Sequence, residues 1–153
     1  MEVRPATADD LPALLPLMRG YCDFYEADPP DSGLEAMARA LIAAPDAEGM
    51  LFVAEDDAGA VAGFAALGWK WSSLRGARIA VLEDLFVAAD SRGAGLATTL
   101  ISASGKRAHE LGAAALEWVT ATDNERAQRA YARAGGEGAK WLVYELDLEH
   151  RSE

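Results

Sequence analysis

The sequence predicts a single α/β domain, a mostly antiparallel sheet with one parallel β-α-β crossover and splayed central strands. Three observations carry that prediction. A chain of 153 residues is long enough to bury one substantial core. Its hydrophobic periodicity passes from helical to alternating and back to helical. A nearly continuous apolar run, IAVLEDLFVA (79–88), leads directly into a glycine-rich turn and a helical pattern, as expected of a strand covered on both faces that opens a crossover.

The elements follow in order. EVRPA (2–6) reads as a short strand. Thr7 with Asp10 forms a capping-box pattern that starts a helix carrying Leu11, Leu14, Leu15, Met18 and Tyr21 inward. Pro16 inside that helix is expected to bend it, because it removes a hydrogen bond and crowds the preceding turn. DPPDSG (28–33) is a loop, and Gly33 to Ala44 is a second helix stopped by Pro45. MLFVAED and AVAGFAALGWKW are strands joined at DAG, and SSLRGAR turns into the third strand of the run, 79–88. A helix then extends from the glycine turn to about Leu111, with Gly112 as its cap. LEWVT (116–120) is the next strand. Asp123 or Asn124 caps a helix that ends before Gly135-Gly136, and the alternating KWLVYELDL (140–148) is expected to close the sheet.

Composition limits the function. The net charge is −11, which disfavours nucleic acid or an anionic membrane as partner. Residues 1–60 hold 13 acidic and 3 basic side chains, against 12 and 11 in the remainder; this allows a cationic partner for the first third and an anionic one beyond it. No run approaches membrane-span length. One cysteine, Cys22, suits a reducing cytoplasm and reads as a packed helix residue. His109 and His150 are far apart, no Cys/His cluster has ligand spacing, and no metal is expected.

The glycine turn, RGAGLA (92–97), presents N–H groups and the positive end of a helix to an anion. A Walker A loop needs a lysine where Leu96 stands. A dinucleotide fingerprint would place a third glycine at Thr98, and its ribose-binding acid would end a strand, whereas Glu117 begins one. Arg92, Gly95 and Ala97 instead fit the pattern Arg/Gln-x-x-Gly-x-Gly/Ala. With VRPAT.DDL, LEDLFV before the loop and TDNERAQRAYARAG after it, the chain resembles the GNAT superfamily of acetyl-CoA-dependent N-acetyltransferases over essentially its whole length. Within it, the sequence is most similar to the spermidine/spermine and histone/polyamine acetyltransferase-like branch.

The resemblance implies a GNAT-like fold with acetyl-CoA as cofactor. Backbone of Leu85, Phe86 and Val87 would pair with the pantetheine, and residues Gly93, Ala94, Gly95, Leu96, Ala97 and Thr98 after Arg92 would hold the pyrophosphate. Asn124 and Ala127 would also line the cofactor, and the Val87 N–H would face the developing oxyanion. A homodimer is implied as well. GGEGA (135–139) is short for the spermidine/spermine branch, where this segment helps build the dimer and acceptor site.

Acetyl transfer to an amine requires removal of a proton from the amine and delivery of one to the departing thiolate. Glu83 and Asp84 lie within an apolar strand, a costly place unless they face a polar cleft. Strand alternation puts them on opposite faces; Glu83 is assigned as base and Asp84 as a contact for a cationic acceptor. The alternative for each is an ion-paired structural acid. Tyr131 follows Asn124 by seven residues, two helical turns, so both share a face; with the family pattern, Tyr131 is the general acid, and without it a core residue. Tyr21, Phe24, Tyr25 and Glu26, together with Trp69 and Trp71, are candidates to hold an ammonium group through cation–π and charge contacts. The alternative for the two tryptophans is the core or a dimer partner. The expected acceptor is thus a small cationic amine, with a protein amine or a non-catalytic acyl-CoA-binding module as alternatives.

Overall fold

The computed structural model describes residues 1–149, which form two compact units, Met1–Val119 and the residues from Thr120 onward. The first unit holds a five-stranded sheet in the order β1-β2-β3-β4-β5. Its strands are β1 (Glu2–Pro5), β2 (Gly49–Glu55), β3 (Val61–Ser72), β4 (Ala77–Val87) and β5 (Leu116–Glu117). The first three pairings are antiparallel and β4–β5 is parallel. Helices α1 (Leu11–Phe24) and α2 (Asp31–Ala43) link β1 to β2, and α3 (Leu96–Glu110) makes the crossover from β4 to β5.

β2 is buried at six successive positions, so both sheet faces are covered. Leu51 and Val53 pack with Leu14, Met18, Leu34 and Ala38 of α1 and α2, and with Phe64 and Ala66 of β3. The intervening residues belong to the opposite face, against which α3 lies. Cys22 is a free, buried thiol on the α1 side, and α1 continues through Pro16 as a single helix.

The start of the fold is fixed electrostatically. Arg4 donates to both carboxylate oxygens of Asp10 at 2.8 Å and to Glu55 at 2.7 Å, while the Thr7 N–H donates to Asp10 at 2.7 Å. The Arg4 guanidinium holds the buried Asp10 carboxyl down at about 2, below the ordinary carboxylate range. A depressed folded pKa contributes stability that is present above the unfolded value near 4 and lost as pH falls toward 2. Asp10→Asn is therefore expected to cost about 2 kcal/mol at pH 7, with the difference from the parent shrinking below about pH 4 in urea titrations.

The second unit contains α4 (Glu125–Arg133). The Asn124 side-chain Oδ1 accepts from the Ala127 N–H at 3.2 Å, an N-cap in its ordinary form. Gly135, at φ 92, ends the helix. The expected final strand is not formed: residues 136–147 have neither helix nor strand. Trp141, Leu142, Val143 and Tyr144 are exposed. Alternation specifies which face a residue would take, but a strand also needs a neighbour's hydrogen-bonding edge, and β5 pairs over only two residues instead of the five expected of LEWVT.

Candidate active site

The site of interest in the first unit is centred on β4. Its register against β3 shifts by one: Ala66 faces Asp84, Leu67 faces Leu82, and Glu83 is the extra residue. A bulge of this kind cancels strict alternation. Glu83 is exposed, and its side chain lies over Gly68, 3.7 Å from where a Cβ there would stand. Gly68 shares its face with Phe64 and Ala66, which pack under α1. The side chain of Asp84 meets Tyr21 of α1. Both carboxylates therefore stand on the α1 face, and the expectation that they point to opposite faces is corrected.

Burial raises the Asp84 pKa, the Tyr21 hydroxyl counteracts part of that rise, and the charge of Glu83 adds to it. Burial likewise pushes the Tyr21 phenol up, with the Asp84 charge contributing. The Tyr21 hydroxyl lies 3.3 Å from the Glu83 main-chain carbonyl, so that carbonyl and the Asp84 carboxylate compete for its one proton. Its ring is 5.0 Å from Tyr25, 6.1 Å from Phe64 and 6.4 Å from Phe86 between centroids. Phe24 and Tyr25 complete an aromatic end to α1 and are 64% and 60% exposed, so they are open to a ligand. Glu26 has the left-handed φ of 55. Its N–H bonds Asp23 and that of Ala27 bonds Cys22, the Schellman closure that usually employs glycine.

The tryptophans lie elsewhere. Trp69 and Trp71 face Ala80 and Arg78 across the β3–β4 ladder, three and five residues from Glu83, or roughly 10 and 16 Å along a strand. The Trp69 indole N–H donates to the Pro45 carbonyl at 2.9 Å, and the Arg78 guanidinium covers its ring at 3.8 Å while donating to the Asp46 carbonyl. Trp69 ties the hairpin to the loop after α2. Trp71 is 79% exposed near the hairpin tip.

Among the described residues, the end of β4 is paired on the β3 side alone. The β5 ladder stops at Val81↔Glu117, as it would where the central strands splay. The Ala88 N–H bonds the Ala62 carbonyl of the β3 side, so the main-chain groups of Val87 and Leu85 point to the outer edge and those of Phe86 point inward. Of the three residues expected to pair with pantetheine, only Leu85 and Val87 offer their backbone to an extended partner. The Val87 carbonyl already accepts from Arg92 Nε at 2.9 Å, and the guanidinium lies 5.5 Å from the Phe86 ring centroid. This contact, which the sequence pattern alone did not signal, fastens the glycine turn to the strand.

Gly93 and Gly95 adopt left-handed φ values of 86 and 83, and a Cβ at either would meet nothing within 4 Å. The first bond of the α3 ladder is from the Thr99 N–H to the Gly95 carbonyl at 3.0 Å, so the N–H groups of Leu96, Ala97 and Thr98 precede it. An uncrowded glycine turn, three donors ahead of the helix ladder and a nearby arginine fit a pyrophosphate. Asn124, Ala127 and Tyr131 belong to the second unit, where Asn124 caps α4 and Tyr131 lies two turns along it.

A family model described as the acetyltransferase (GNAT) family matches residues 15–136. The uncharacterized N-acetyltransferase YhfO of Bacillus subtilis (strain 168) is 33% identical over 144 residues, covering 94% of this chain and 95% of its own. Among solved structures, a "probable acetyltransferase" superposes with a TM-score of 0.82 at 26% identity, covering 97% of this chain and 98% of that one. The aminoglycoside N-acetyltransferase AAC(6')-Iy, solved with CoA, has a TM-score of 0.81 at 21% identity, covering 96% and 94%, and shows the same fold. With its sheet, its glycine turn and these relatives in agreement, the chain belongs to the GNAT family of acetyltransferases, whose acetyl donor is acetyl-CoA.

Proposed function

We propose that this acetyltransferase modifies a primary amine of a small cationic molecule. The observation that carries the reading is the bulge in β4, which sets two carboxylates on one face beside the aromatic end of α1. A cationic amine needs both a counter-charge and a proton acceptor, and Asp84 and Glu83 supply one each. Tyr21, Tyr25 and Phe24 add aromatic faces suited to an ammonium group. The acidic excess of residues 1–60 draws the same class of acceptor.

When bound, acetyl-CoA supplies the activated thioester carbonyl. The turn from Arg92 to Thr98 would hold its pyrophosphate, and the outer edge at Leu85 and Val87 would hold its pantetheine arm. The Val87 N–H, directed along that edge, is the candidate donor to the reacting carbonyl oxygen. Glu83 takes the amine proton, directly or through water. Tyr131 is assigned as proton donor to the departing thiolate, and Asn124 and Ala127 as cofactor contacts, on the family pattern alone. The homodimer and the cytoplasmic setting implied by the resemblance and by the single cysteine belong to the same proposal. No helix among the described residues is long and apolar enough to cross a membrane.

The test is thiol release from acetyl-CoA with a panel of polyamines, amino acids, aminoglycosides and a lysine-bearing peptide. Release with at least one small cationic amine is expected. Turnover confined to the peptide, or to none of the panel, overturns the acceptor assignment.

A further inference from the structure

The Tyr21 hydroxyl occupies an unusual position. Its single proton lies between two acceptors, the main-chain carbonyl of the bulge residue, Glu83, at 3.3 Å, and the carboxylate of the next residue, Asp84, which it reaches as well. The ring behind it is held by Phe64, Phe86 and Tyr25. A single hydroxyl from α1 thus touches both the backbone that creates the bulge and a carboxylate that the bulge exposes to the α1 face.

We propose that Tyr21 is a positioning residue for the acceptor site, fixing the β4 bulge and aiming Asp84 at the acceptor's ammonium group. The proposal rests on the acceptor reading above, in which Asp84 is the counter-charge. The surroundings restrict the alternatives. From α1, Asp84 is faced by Tyr21 and, farther off, by the Cys22 thiol. From β4 it is faced by Glu83. From β3 the opposing residue is Ala66, which carries no charge. Asp84 forms no ion pair among the described residues, whereas Asp10, also largely withdrawn from water, has Arg4. A half-buried carboxylate with one neutral donor and no cation retains the capacity to bind one.

Tyr21→Phe keeps the ring and removes only the hydroxyl. With the best small cationic amine of the panel, the KM for the amine is expected to rise about 10-fold, with a smaller change in kcat and no change in the KM for acetyl-CoA. The hydroxyl opposes the upward push of burial on Asp84. Its loss moves the acidic limb of the amine kcat/KM profile to higher pH. A carbon-13 titration of the Asp84 carboxyl in protein without acetyl-CoA should shift in the same direction, to higher pH.

Asp84→Asn separates the two levels of the argument. If it raises the amine KM and Tyr21→Phe adds nothing further in the Asn background, Tyr21 acts through Asp84, as proposed. If Asp84→Asn raises the amine KM but Tyr21→Phe alters neither that KM nor the carboxyl titration, the positioning role falls and the acceptor reading stands. If Asp84→Asn leaves the amine KM unchanged, the acceptor reading and the proposal built on it both fail.

Discussion

Glu83→Gln is expected to lower kcat/KM for the amine about 100-fold or more near pH 7, the loss typical of a removed general base. Glutamine keeps the length and planarity of the side chain, and position 83 is exposed, so thermal stability should stay within the narrow range of surface substitutions. The pH profile makes the result specific. A primary amine is largely protonated at pH 7; without a base, turnover depends on the small fraction that is already neutral. The variant's rate should keep climbing toward the amine's own pKa, and the deficit should narrow as pH rises. Binding of acetyl-CoA, followed by calorimetry, should be unaffected. An unchanged kcat/KM in a folded variant would remove the proton-acceptor role from Glu83.

The sequence made the path of the chain legible through β4 and α3, because each step there has a local cause. The Thr7–Asp10 box does form, the Asp57-Ala58-Gly59 turn joins β2 to β3, and Gly112 ends α3. The glycine turn could be identified because Gly93 and Gly95 are needed for left-handed backbone. Two features escaped for the same physical reason: each depends on a partner distant in the sequence. The bulge at Glu83 exists only in register with β3, and alternation, which is local, assigned Glu83 and Asp84 to opposite faces. Two adjacent acids in an apolar strand were the available hint, since ordinary alternation would send one of them into a helix-covered face. The segment 140–148 alternates as a strand would, yet alternation carries no information about whether an edge is present to receive it. Trp69 illustrates the point at the level of one side chain. Its aromatic character allowed either a ligand pocket or a packing role, and only the folded register shows that Arg78 covers its ring and the Pro45 carbonyl accepts its N–H.

The second large effect is expected at the glycine turn. Gly95→Ala should raise the KM for acetyl-CoA at least about 10-fold, with kcat at saturating acetyl-CoA much less affected. At φ 83, an alanine pays about 1–2 kcal/mol for left-handed backbone, and within the protein its methyl meets nothing within 4 Å. The folded state can therefore accept the change at modest cost, by holding the strain or by letting the turn relax. Either response harms phosphate binding: a held turn adds a methyl group beside the N–H groups that would meet the phosphate, and a relaxed one redirects the N–H groups ahead of the α3 ladder. Gly112→Ala is the matched control. Gly112 has a φ of 92 and an equally empty surrounding, so its backbone cost is similar, but it lies beyond the C-terminal end of α3, a 15-residue helix about 22 Å long. The two variants should lose similar melting temperature, and only Gly95→Ala should weaken acetyl-CoA. Equal KM values in the two variants would show that the turn is a helix start and nothing more.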